Sequence, residues 1–375
     1  MAWKKMKILL VRNNVMLEKG NDLFIFRSDG RFLVELSHLV EQVGFFQFRI
    51  KNQEKNSIFD YKINDRDIKI ISISRGKIKY AAYIQGLIVG FKIVRKYDFL
   101  YLYYPGNINL FMAIFAVLWR KPFGFYIRGE KGMRSRLSKI LFRKAMISLT
   151  ISPQFTEIIR KGGGEAQTIR PMMEEGEKDI VSGRTYERRD HYRLLYVGRV
   201  EEPKGSYDLV QAMKILKDKG EVDFSLDMVG DGADAAKIKR IIAEEDLGGW
   251  IRLHGVVSDR DFLKRMYRQA DLFVLPTHHE GFPRVLYEAM IAGTPILTTF
   301  VGTIPYLMKD GYNCYRILRK NPEHIAKTIL SVLQDYDNKS SIAEKGTKTI
   351  IAYLCDKKER HAKQLVRILE EKGMK

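Results

Sequence analysis

Cysteine is scarce in this sequence of 375 residues, since only Cys314 and Cys355 are present and neither has a paired or metal-like spacing. The chain therefore offers no disulfide frame, and this usage is typical of a reducing cytoplasm. Long apolar runs are also missing, because the longest, Leu110 to Trp119, is about half of a membrane span. The apolar run near the N-terminus, Ile8 to Val11, is too short for a signal peptide. We therefore expect a cytoplasmic protein that does not cross a membrane, though it can lie on one.

Acidic residues are scarce in the first half of the chain only. Residues 1–170 hold 31 Lys and Arg against 13 Asp and Glu, whereas residues 171–375 hold 34 against 32. The formal charge of +20 thus belongs almost wholly to the first half. This half is expected to face an anionic partner such as phospholipid, a lipid pyrophosphate or nucleic acid. A protein that is merely basic and soluble would spread its charge evenly, and no recognised nucleic-acid module accompanies the charge.

The length predicts two domains with a cleft between them, since single hydrophobic cores usually stop growing near about 250–300 residues. Short apolar runs alternate with amphipathic stretches such as 32–43 and 80–95, which is typical of a doubly wound parallel sheet. The candidate strands of the first half are 8–12, 46–50, 68–72, 99–104, 123–128 and 147–151. We predict an α/β fold with two Rossmann-like domains, 1–172 and 191–355. A linker at 173–190 joins them, and a helix in 356–375 packs back across the linker.

Two strand ends of the second domain carry residues suited to an anion. Ligands of open α/β sheets bind beyond the carboxyl ends of strands, where helix N-termini point free N–H groups at anions. YVGRVEEPKGS brings Gly198, Arg199 and Lys204 to one such end. The fork of arginine and the point charge of lysine suit a pyrophosphate, although a basic solvated loop has the same composition. Gly230 and Gly232 let the backbone turn at a second end, where glycines are common.

A third strand end is predicted by the stretch HHEGFPRVLYEAMIAGTPILTT, residues 278–299. Gly281 supplies the turn, and Pro283, which has no N–H to lose, suits the first helical turn. Free N–H groups around this helix start can bind a phosphate. The residues at this start are Phe282, Pro283, Arg284 and Val285.

Two glutamates flank the helix start of this stretch. Glu280 precedes the helix and Glu288 lies more than one turn inside it, so their carboxylates can contact different parts of one extended ligand. Carboxylates accept hydrogen bonds from vicinal hydroxyls, which indicates a sugar and a ribose. Glu280 alone also fits a surface glutamate that stabilises a helix N-terminus. That alternative does not explain the small residues that bring the helix close to its neighbours, which are Ala289, Ala292 and Gly293.

Taken in order, these motifs resemble the large retaining GT-B glycosyltransferase family four. The matching positions are Gly198-Arg199, Lys204-Gly205, Gly230-Asp-Gly, Glu280-Gly-Phe-Pro, Glu288-Ala-Met and Gly293-Thr-Pro. The resemblance is specific over roughly residues 192–313 and only topological in the first half. It implies a GT-B fold, in which two Rossmann-like domains with parallel sheets face a cleft and a C-terminal helix crosses back to the first domain.

The resemblance also implies roles for individual residues. Arg199 and Lys204 would bind the donor diphosphate and stabilise the leaving group, Glu288 the ribose hydroxyls, and Glu280 the hydroxyls of the transferred sugar. The family is usually metal-independent, so we expect no cofactor and a UDP-sugar or GDP-sugar as donor. Two fixed cations and a helix N-terminus can stabilise a departing diphosphate without a divalent ion.

The first domain departs from the family pattern at two places. Similar proteins often have a histidine at the end of a late strand, facing the reacting sugar, whereas this chain has FYIRGEKG and places Arg128 there. We therefore count Arg128 among the catalytic candidates. A glycine-rich loop near the first strand is also usual, and its counterpart FRSDGRF holds only Gly30.

Metal sites are disfavoured by the remaining carboxylates and histidines. Asp-x-Asp pairs can hold the metal of the other main glycosyltransferase fold. Ser258 with Asp261 instead fits a capping box for the next helix, and the other pairs lie outside any strand end. The three pairs are Asp65/Asp67, Asp259/Asp261 and Asp335/Asp337. His278 and His279 are adjacent but lack partners at ligand spacing, so we predict no metal site.

A basic amphipathic segment, RGEKGMRSRLSKILFRKAM, is typical of a helix on a membrane surface, and a core helix with a solvated face has the same spacing. Its cations are Lys131, Arg134, Arg136, Lys139, Arg143 and Lys144.

These features together predict a retaining, cytoplasmic glycosyltransferase that is peripheral at the inner face of the cell membrane. Its partners would be a nucleotide sugar, a glycan or lipid-linked acceptor and, through the basic first domain, an anionic membrane, with no nucleic acid. Surface polysaccharide or glycolipid synthesis of a bacterial type is the expected role. Two alternatives stay open. A sugar-nucleotide epimerase of the same fold needs acid/base groups and no acceptor, and a noncatalytic nucleotide-sugar-binding subunit should have lost some of the Arg/Lys/Glu set that this chain keeps.

Overall fold

A computed structural model describes residues 6–51, 59–63, 68–76, 79–172, 177–281, 283–356 and 359–374. The chain forms two compact units: unit 1 is Met1–Glu174 with Lys357–Lys375, and unit 2 is Glu175–Asp356. In each unit, parallel strands alternate with helices. The α/β fold class predicted from the alternating pattern is therefore confirmed.

Unit 1 is built on a nine-stranded sheet. Its elements in chain order are β1 (Lys7–Lys19), β2 (Asp22–Ile25), α1 (Arg27–Ser37), β3 (Gln42–Lys51), β4 (Tyr61–Lys62), β5 (Ile68–Ser74), α2 (Lys79–Ile93), β6 (Phe99–Tyr104), α3 (Asn107–Leu118), β7 (Phe123–Ile127), α4 (Arg136–Lys144), β8 (Ile147–Thr150), α5 (Pro153–Lys161) and β9 (Ala166–Thr168). The parallel strands follow the order β5-β3-β1-β6-β7-β8-β9. All six predicted strands of the first half are present.

The first strand is longer than its apolar run predicts. The run ends at Arg12, whereas β1 continues to Lys19 after a shift of register between Val11 and Val15. Beyond this shift β1 pairs with the antiparallel strand β2, which in turn pairs with β4. The added pairing extends the strand through polar residues, which an apolar pattern does not reveal.

Helices cover both faces of the sheet of unit 1. Strands such as β6, FLYLYY, are buried along their whole length, as expected for a parallel sheet between two helical layers. One face packs against α2, α3, α4 and α5, whose buried members include Ala82, Met112, Phe142 and Phe155. The other face packs against α1 through residues such as Leu33 and Leu36.

Unit 2 has a six-stranded parallel sheet in the order β12-β11-β10-β13-β14-β15. Its elements are β10 (His191–Val197), α6 (Ser206–Lys219), β11 (Asp223–Val229), α7 (Ala235–Glu244), β12 (Ile251–Gly255), α8 (Arg260–Gln269), β13 (Leu272–Leu275), α9 (Arg284–Ile291), β14 (Ile296–Thr299), α10 (Ile304–Leu307), β15 (Tyr315–Ile317), α11 (Pro322–Gln334), α12 (Tyr336–Lys339) and α13 (Ile342–Asp356). Because all strands are parallel, their carboxyl ends and the loops that follow lie at one edge.

The chain finally returns to unit 1 with α14 (His361–Glu371). Leu365, Val366 and Leu369 of this helix are buried in the same core as α1. His361 contacts the hydroxyl of Tyr101 at 2.8 Å and the carbonyl of Arg170 at 2.8 Å. A carbonyl only accepts, so His361 Nδ1 carries the proton and Nε2 accepts from Tyr101.

Part of the segment predicted as a linker packs on unit 2. Val181 donates its N–H to the carbonyl of Ile291, and the Tyr186 hydroxyl donates to the carbonyl of Gly293 at 2.8 Å. Arg184 donates to the carbonyls of Ala270 and Ala292. The small residues at the end of α9 thus leave room for this segment. Within the described residues, no helix combines the length and the apolar character that a bilayer span requires.

Candidate active site

The candidate site lies in unit 2, at the carboxyl ends of β10, β11 and β13. Gly230 after β11 has φ +134°, and a Cβ there would overlap the carbonyl oxygen of Gly198 after β10. Gly205 has φ +71°, and its Cβ would overlap the carbonyl oxygen of Pro276 after β13. Only glycine accepts both the left-handed backbone and this close approach. The three loops therefore touch through backbone atoms, which fixes the floor of the site.

Lys204 and Glu280 form an ion pair in these loops. Lys204 ends the short 3₁₀ turn Glu202–Lys204 that precedes α6, and Glu280 follows β13. The Lys204 ammonium contacts Oε1 of Glu280, and the two side chains are only 12% and 20% exposed. The structure thus brings together two candidates that are 76 positions apart in the sequence. A partly buried ammonium beside a carboxylate places opposite charges at the edge where a ligand of this sheet would bind.

A second pair, His278 with Asp208, was not foreseen from the sequence. His278 Nε2 lies 2.5 Å from Asp208 Oδ2 on α6, and both side chains are mostly buried. The backbone N–H of His278 donates to the carbonyl of Pro203 at 3.0 Å, and the Thr277 hydroxyl donates to the same oxygen at 3.2 Å. These contacts tie the loop of Glu280 to the turn of Lys204. No local signal could have revealed them, because the partners are 70 positions apart.

Arg199 lies on the same edge but in a different setting. Its side chain is 67% exposed and its guanidinium lies 2.9 Å from Glu201. Its carbonyl accepts a hydrogen bond from the Tyr196 hydroxyl at 2.7 Å. Burial raises the pKa of Tyr196, with a further rise from the nearby carboxylates, so the phenol keeps the proton that it donates. The two predicted cations therefore differ in exposure, since Lys204 is mostly buried in its pair with Glu280, whereas Arg199 is exposed in its pair with Glu201.

The start of α9 is close to the predicted geometry. Pro283 is the residue before the helix, with φ −75° and ψ 119°, and Arg284 begins it, so the prediction of Pro283 inside the first turn was wrong by one position. The N-cap also needs no intrahelical N–H, which is why proline fits there. The N–H and hydroxyl of Thr303 both donate to the carbonyl of Gly281 and fix the turn. Val285 lies in the first turn of α9, and Phe282 lies outside the described residues.

Glu288 of α9 is held by two residues of α8. The Tyr267 hydroxyl donates to Glu288 Oε2 at 2.9 Å, and an Arg260 nitrogen lies 3.9 Å from Oε1. These side chains line a small pocket of about 20 Å³. Its other lining residues are Asp179, Leu263, Lys264, Arg268, Ile291 and Ala292. Arg260 and Tyr267 were not predicted as site residues, although their spacing of seven on a predicted helix placed them on one face.

Arg128 lies in unit 1, directly after β7, and its N–H donates to the carbonyl of Tyr104 at 2.9 Å. Its charge acts on two buried groups of that unit, Tyr103 and His361. Burial and, to a smaller extent, the positive charge of Arg128 lower the pKa of His361 to about 3, although its hydrogen bond with the Arg170 carbonyl acts in the opposite direction. Arg128 therefore stands beside an imidazole that is neutral at physiological pH.

The Asp-x-Asp pairs have structural roles where the structure describes them. The Asp259 carboxylate accepts from the N–H groups of Asp261 and Phe262, so Asp259 caps α8 and the predicted capping box of Ser258 was wrong. Asp335 accepts from the side chain of Asn338 at 2.7 Å. Asp65 and Asp67 lie outside the described residues. Within the described ranges no group of three or more His, Cys, Asp or Glu side chains is placed to hold a metal ion.

Part of the chain is similar in sequence to known glycosyltransferases. A model of the family Glycosyl transferases group 1 matches residues 180–349. Uncharacterized glycosyltransferase MJ1178 of Methanocaldococcus jannaschii is 29% identical over 161 residues, which are 43% of this chain and 44% of that protein. The lipopolysaccharide core biosynthesis glycosyltransferase LpsE of Rhizobium meliloti is 26% identical over 159 residues, 42% of this chain and 44% of LpsE. The match to both relatives thus spans less than half of their length.

Solved structures match the fold over nearly the whole chain. The crystal structure of Anabaena Alr3699/HepE in complex with UDP and glucose superposes with a TM-score of 0.69 at 17% identity, covering 98% of this chain and 100% of that one. Likeness at this identity establishes the fold, and it extends to unit 1, where no sequence match was specific. Residues 180–349 are therefore similar to the glycosyl transferases group 1 family, in a chain with the GT-B fold.

Proposed function

We propose that the protein is a retaining glycosyltransferase that moves a sugar, of hexosyl type, from a UDP-sugar or GDP-sugar to a glycan or lipid-linked acceptor. The observation that supports this most directly is the partly buried Lys204–Glu280 pair at the carboxyl edge of the unit 2 sheet. The loops around the pair approach each other through glycine, as binding of an extended phosphate ligand requires.

The hydrogen-bond donors and acceptors of each side chain indicate which part of the nucleotide sugar it would contact. An ammonium has three N–H donors, so Lys204 can keep its contact with Glu280 Oε1 and give two to diphosphate oxygens. Glu280 keeps Oε2 for a hydroxyl of the transferred sugar. Arg199 reaches the diphosphate from solvent, and the first N–H groups of α9 add partial positive charge.

Glu288 is the proposed ribose contact. The Tyr267 hydroxyl donates to Oε2 and holds the carboxylate in place. In this position Glu288 would accept a hydrogen bond from a ribose hydroxyl of the bound donor. In this arrangement Lys204, Arg199 and the start of α9 stabilise the departing diphosphate, which is the role a divalent ion would otherwise fill, so we propose metal-independent transfer.

The acceptor side is assigned to unit 1. LpsE acts, by its name, in lipopolysaccharide core biosynthesis, and a lipid-linked glycan acceptor for this protein is proposed by analogy. Arg128 is the proposed group at the reacting sugar. Surface polysaccharide or glycolipid synthesis at the inner face of the cell membrane is the corresponding proposal for role and location.

The test is a thermal-shift screen of UDP- and GDP-sugars with EDTA present throughout. A donor at one hundred times its Kd should stabilise the folded protein by about 2.7 kcal/mol and raise the melting temperature. The matching nucleoside monophosphate is the control and should give a smaller shift, because it lacks the diphosphate that the cations bind. If no nucleotide sugar shifts the melting temperature, donor binding is disproved.

The hit from this screen then enters a product assay with and without a lipid extract. Sugar found on lipid only when extract is present, with the configuration of the donor, supports a retaining transferase. Conversion of the donor into another sugar nucleotide without extract would instead identify an epimerase.

A further inference from the structure

The solvent side of α2 is apolar. Tyr80, Ile84, Ile88 and Phe91 are 83%, 60%, 54% and 41% exposed, and their spacing of three and four places them on one face of the helix. The sequence between Tyr80 and Phe91 contains no charged residue. A solvated helix normally carries charges on its outer face, so this stripe needs a partner other than water.

The stripe continues onto the neighbouring helices of the same layer. Phe91 packs against Phe115 of α3 and Trp119 directly after α3, with ring centroids 5.3 and 5.1 Å apart. The α2, α3 and α4 helices all cover one face of the sheet of unit 1. We define the apolar face of unit 1 as the eight exposed large apolar side chains among its described residues: Tyr80, Ile84, Ile88, Phe91, Phe111, Leu118, Leu137 and Ile140.

Unit 2 has no comparable patch among its described residues. Its exposed large apolar side chains are on separate elements and loops, and such scattered residues are ordinary on protein surfaces. They are Phe262, Tyr306, Tyr312, Leu318 and Ile351.

Positive charge surrounds the apolar face. Residues 79–156 contain 13 Lys and Arg but only two acidic residues, Asp98 and Glu130. Both acids are engaged, since Asp98 accepts the N–H of Lys7 at 2.8 Å and Glu130 pairs with Arg134 at 3.3 Å. The exposed cations at the ends of α2 and α3 and along α4 are Lys92, Arg95, Lys96, Arg120, Arg136, Lys139, Arg143 and Lys144.

We propose that the apolar face of unit 1 docks on an anionic lipid membrane. The α2 stripe would enter the region between head groups and acyl chains, while the cations contact lipid phosphates. A second copy of the chain fits poorly, because pairing two such faces would bring their positive charges together. Nucleic acid would use the cations but leave the apolar side chains unsatisfied. The proposal extends beyond sugar transfer, and it assigns the main insertion to α2 instead of to the basic helix α4.

The experiment is vesicle sedimentation of the full chain without donor or acceptor, using phosphatidylcholine alone and phosphatidylcholine with phosphatidylglycerol. We expect binding to the mixed vesicles and weak binding to phosphatidylcholine alone. Ile84→Glu with Ile88→Glu should lower the partition coefficient at least about tenfold, because glutamates do not enter the acyl boundary of an anionic membrane. The control is Leu318→Glu with Ile351→Glu, which adds the same charge at sites 41% and 39% exposed in unit 2 and should bind as wild type.

Replacing Arg136 and Lys139 of α4 by glutamine should reduce the preference for vesicles that contain phosphatidylglycerol. The apolar contribution to vesicle binding should remain. Far-UV circular dichroism must show all variants folded. Equal binding of the wild type and the Ile84/Ile88 variant would overturn the proposal, and so would equal binding to both kinds of vesicle. A wild type that self-associates in solution, with the Ile84/Ile88 variant monomeric and vesicle binding unchanged, would identify a dimer face instead. Failure of the donor screen would leave these results standing, since no nucleotide is present.

Discussion

The carboxyl edges of the two sheets are built differently. In unit 2, loops approach through backbone atoms, as at Gly230 against the carbonyl of Gly198. In unit 1, side chains occupy the corresponding edge, where Arg12 lies 5.1 Å from the ring of Phe26 and 5.5 Å from that of Tyr103 and pairs with buried Asp29. Backbone contacts allow one geometry only, whereas side chains can be exchanged. A site for an invariant diphosphate suits the first kind of edge, and a site for a particular acceptor suits the second.

The largest expected difference between the edges of unit 2 and unit 1 is in how substitutions there change kcat and donor binding. Lys204→Ala should reduce kcat by about 10²–10³, because it removes a fixed charge from the leaving diphosphate. Arg128→Ala should also reduce kcat but leave the donor-induced rise in melting temperature intact, since Arg128 lies in the other unit. Steady-state kinetics and thermal shift on the same preparations measure both effects. An Arg128→Ala protein that no longer responds to donor would show that the division between donor and acceptor edges is wrong.

The next expected difference between the two units is the loss of stability when a glycine is replaced by alanine. Gly230→Ala should destabilise the protein by about 3 kcal/mol, because it combines an unfavourable φ with a clash against backbone. Gly20→Ala in unit 1 is the matched control: Gly20 has φ +59°, but no atom lies within 4 Å of the place that an added methyl group would take, so only about 1–2 kcal/mol of conformational cost applies. Urea unfolding midpoints compare them. Equal shifts would mean that the unit 2 loops can move apart at little cost.

The smallest expected effect is the pH dependence of stability that comes from His361 in unit 1. His361 is neutral when folded because its pKa is lowered to about 3, whereas in the unfolded chain it binds a proton near pH 6.5. The unfolded state therefore binds more protons between these values, and stability falls as pH drops through this window, by up to about 1.4 kcal/mol per unit. His361→Gln, which cannot titrate, should flatten the slope of urea midpoint against pH between 7.5 and 5. An unchanged slope would assign the acid sensitivity to other groups.

The fold and half of the candidate site could be predicted from the sequence. Strand and helix alternation predicted both units, because burial on both sheet faces makes each strand a short apolar run. Gly230 was identifiable because a positive φ and a close backbone contact restrict its position to glycine. Gly198 and Glu280 were identified from their places after strands and from the family resemblance. Lys204 was predicted as a phosphate ligand, and its ion pair with Glu280 was not, since no local pattern relates residues 76 positions apart.

The residues that could not be predicted from the sequence are of two kinds. Some contact partners that are far away along the chain, and the role of others depends on whether solvent or protein lies beside them. Asp208 reaches His278 from another element, and Tyr267 reaches Glu288 in the same way. The α2 segment was interpreted as an ordinary amphipathic stretch, because Ile84 and Ile88 look the same in a sequence whether a sheet or solvent lies beside them. Lys and Arg residues are visible in the sequence whatever their exposure, so the basic segment that contains α4 was the one predicted to contact a membrane.

The return of α14 to unit 1 fixes the order in which the two units become complete during synthesis. Every residue of unit 2 has been made once the ribosome passes Asp356, but unit 1 still lacks the helix whose Leu365 and Leu369 close one side of its core. Until then the apolar side chains beneath α14, including Tyr101 and Phe32, have no cover from it. Unit 1, whose strands are translated before unit 2, is therefore the unit whose core is completed last.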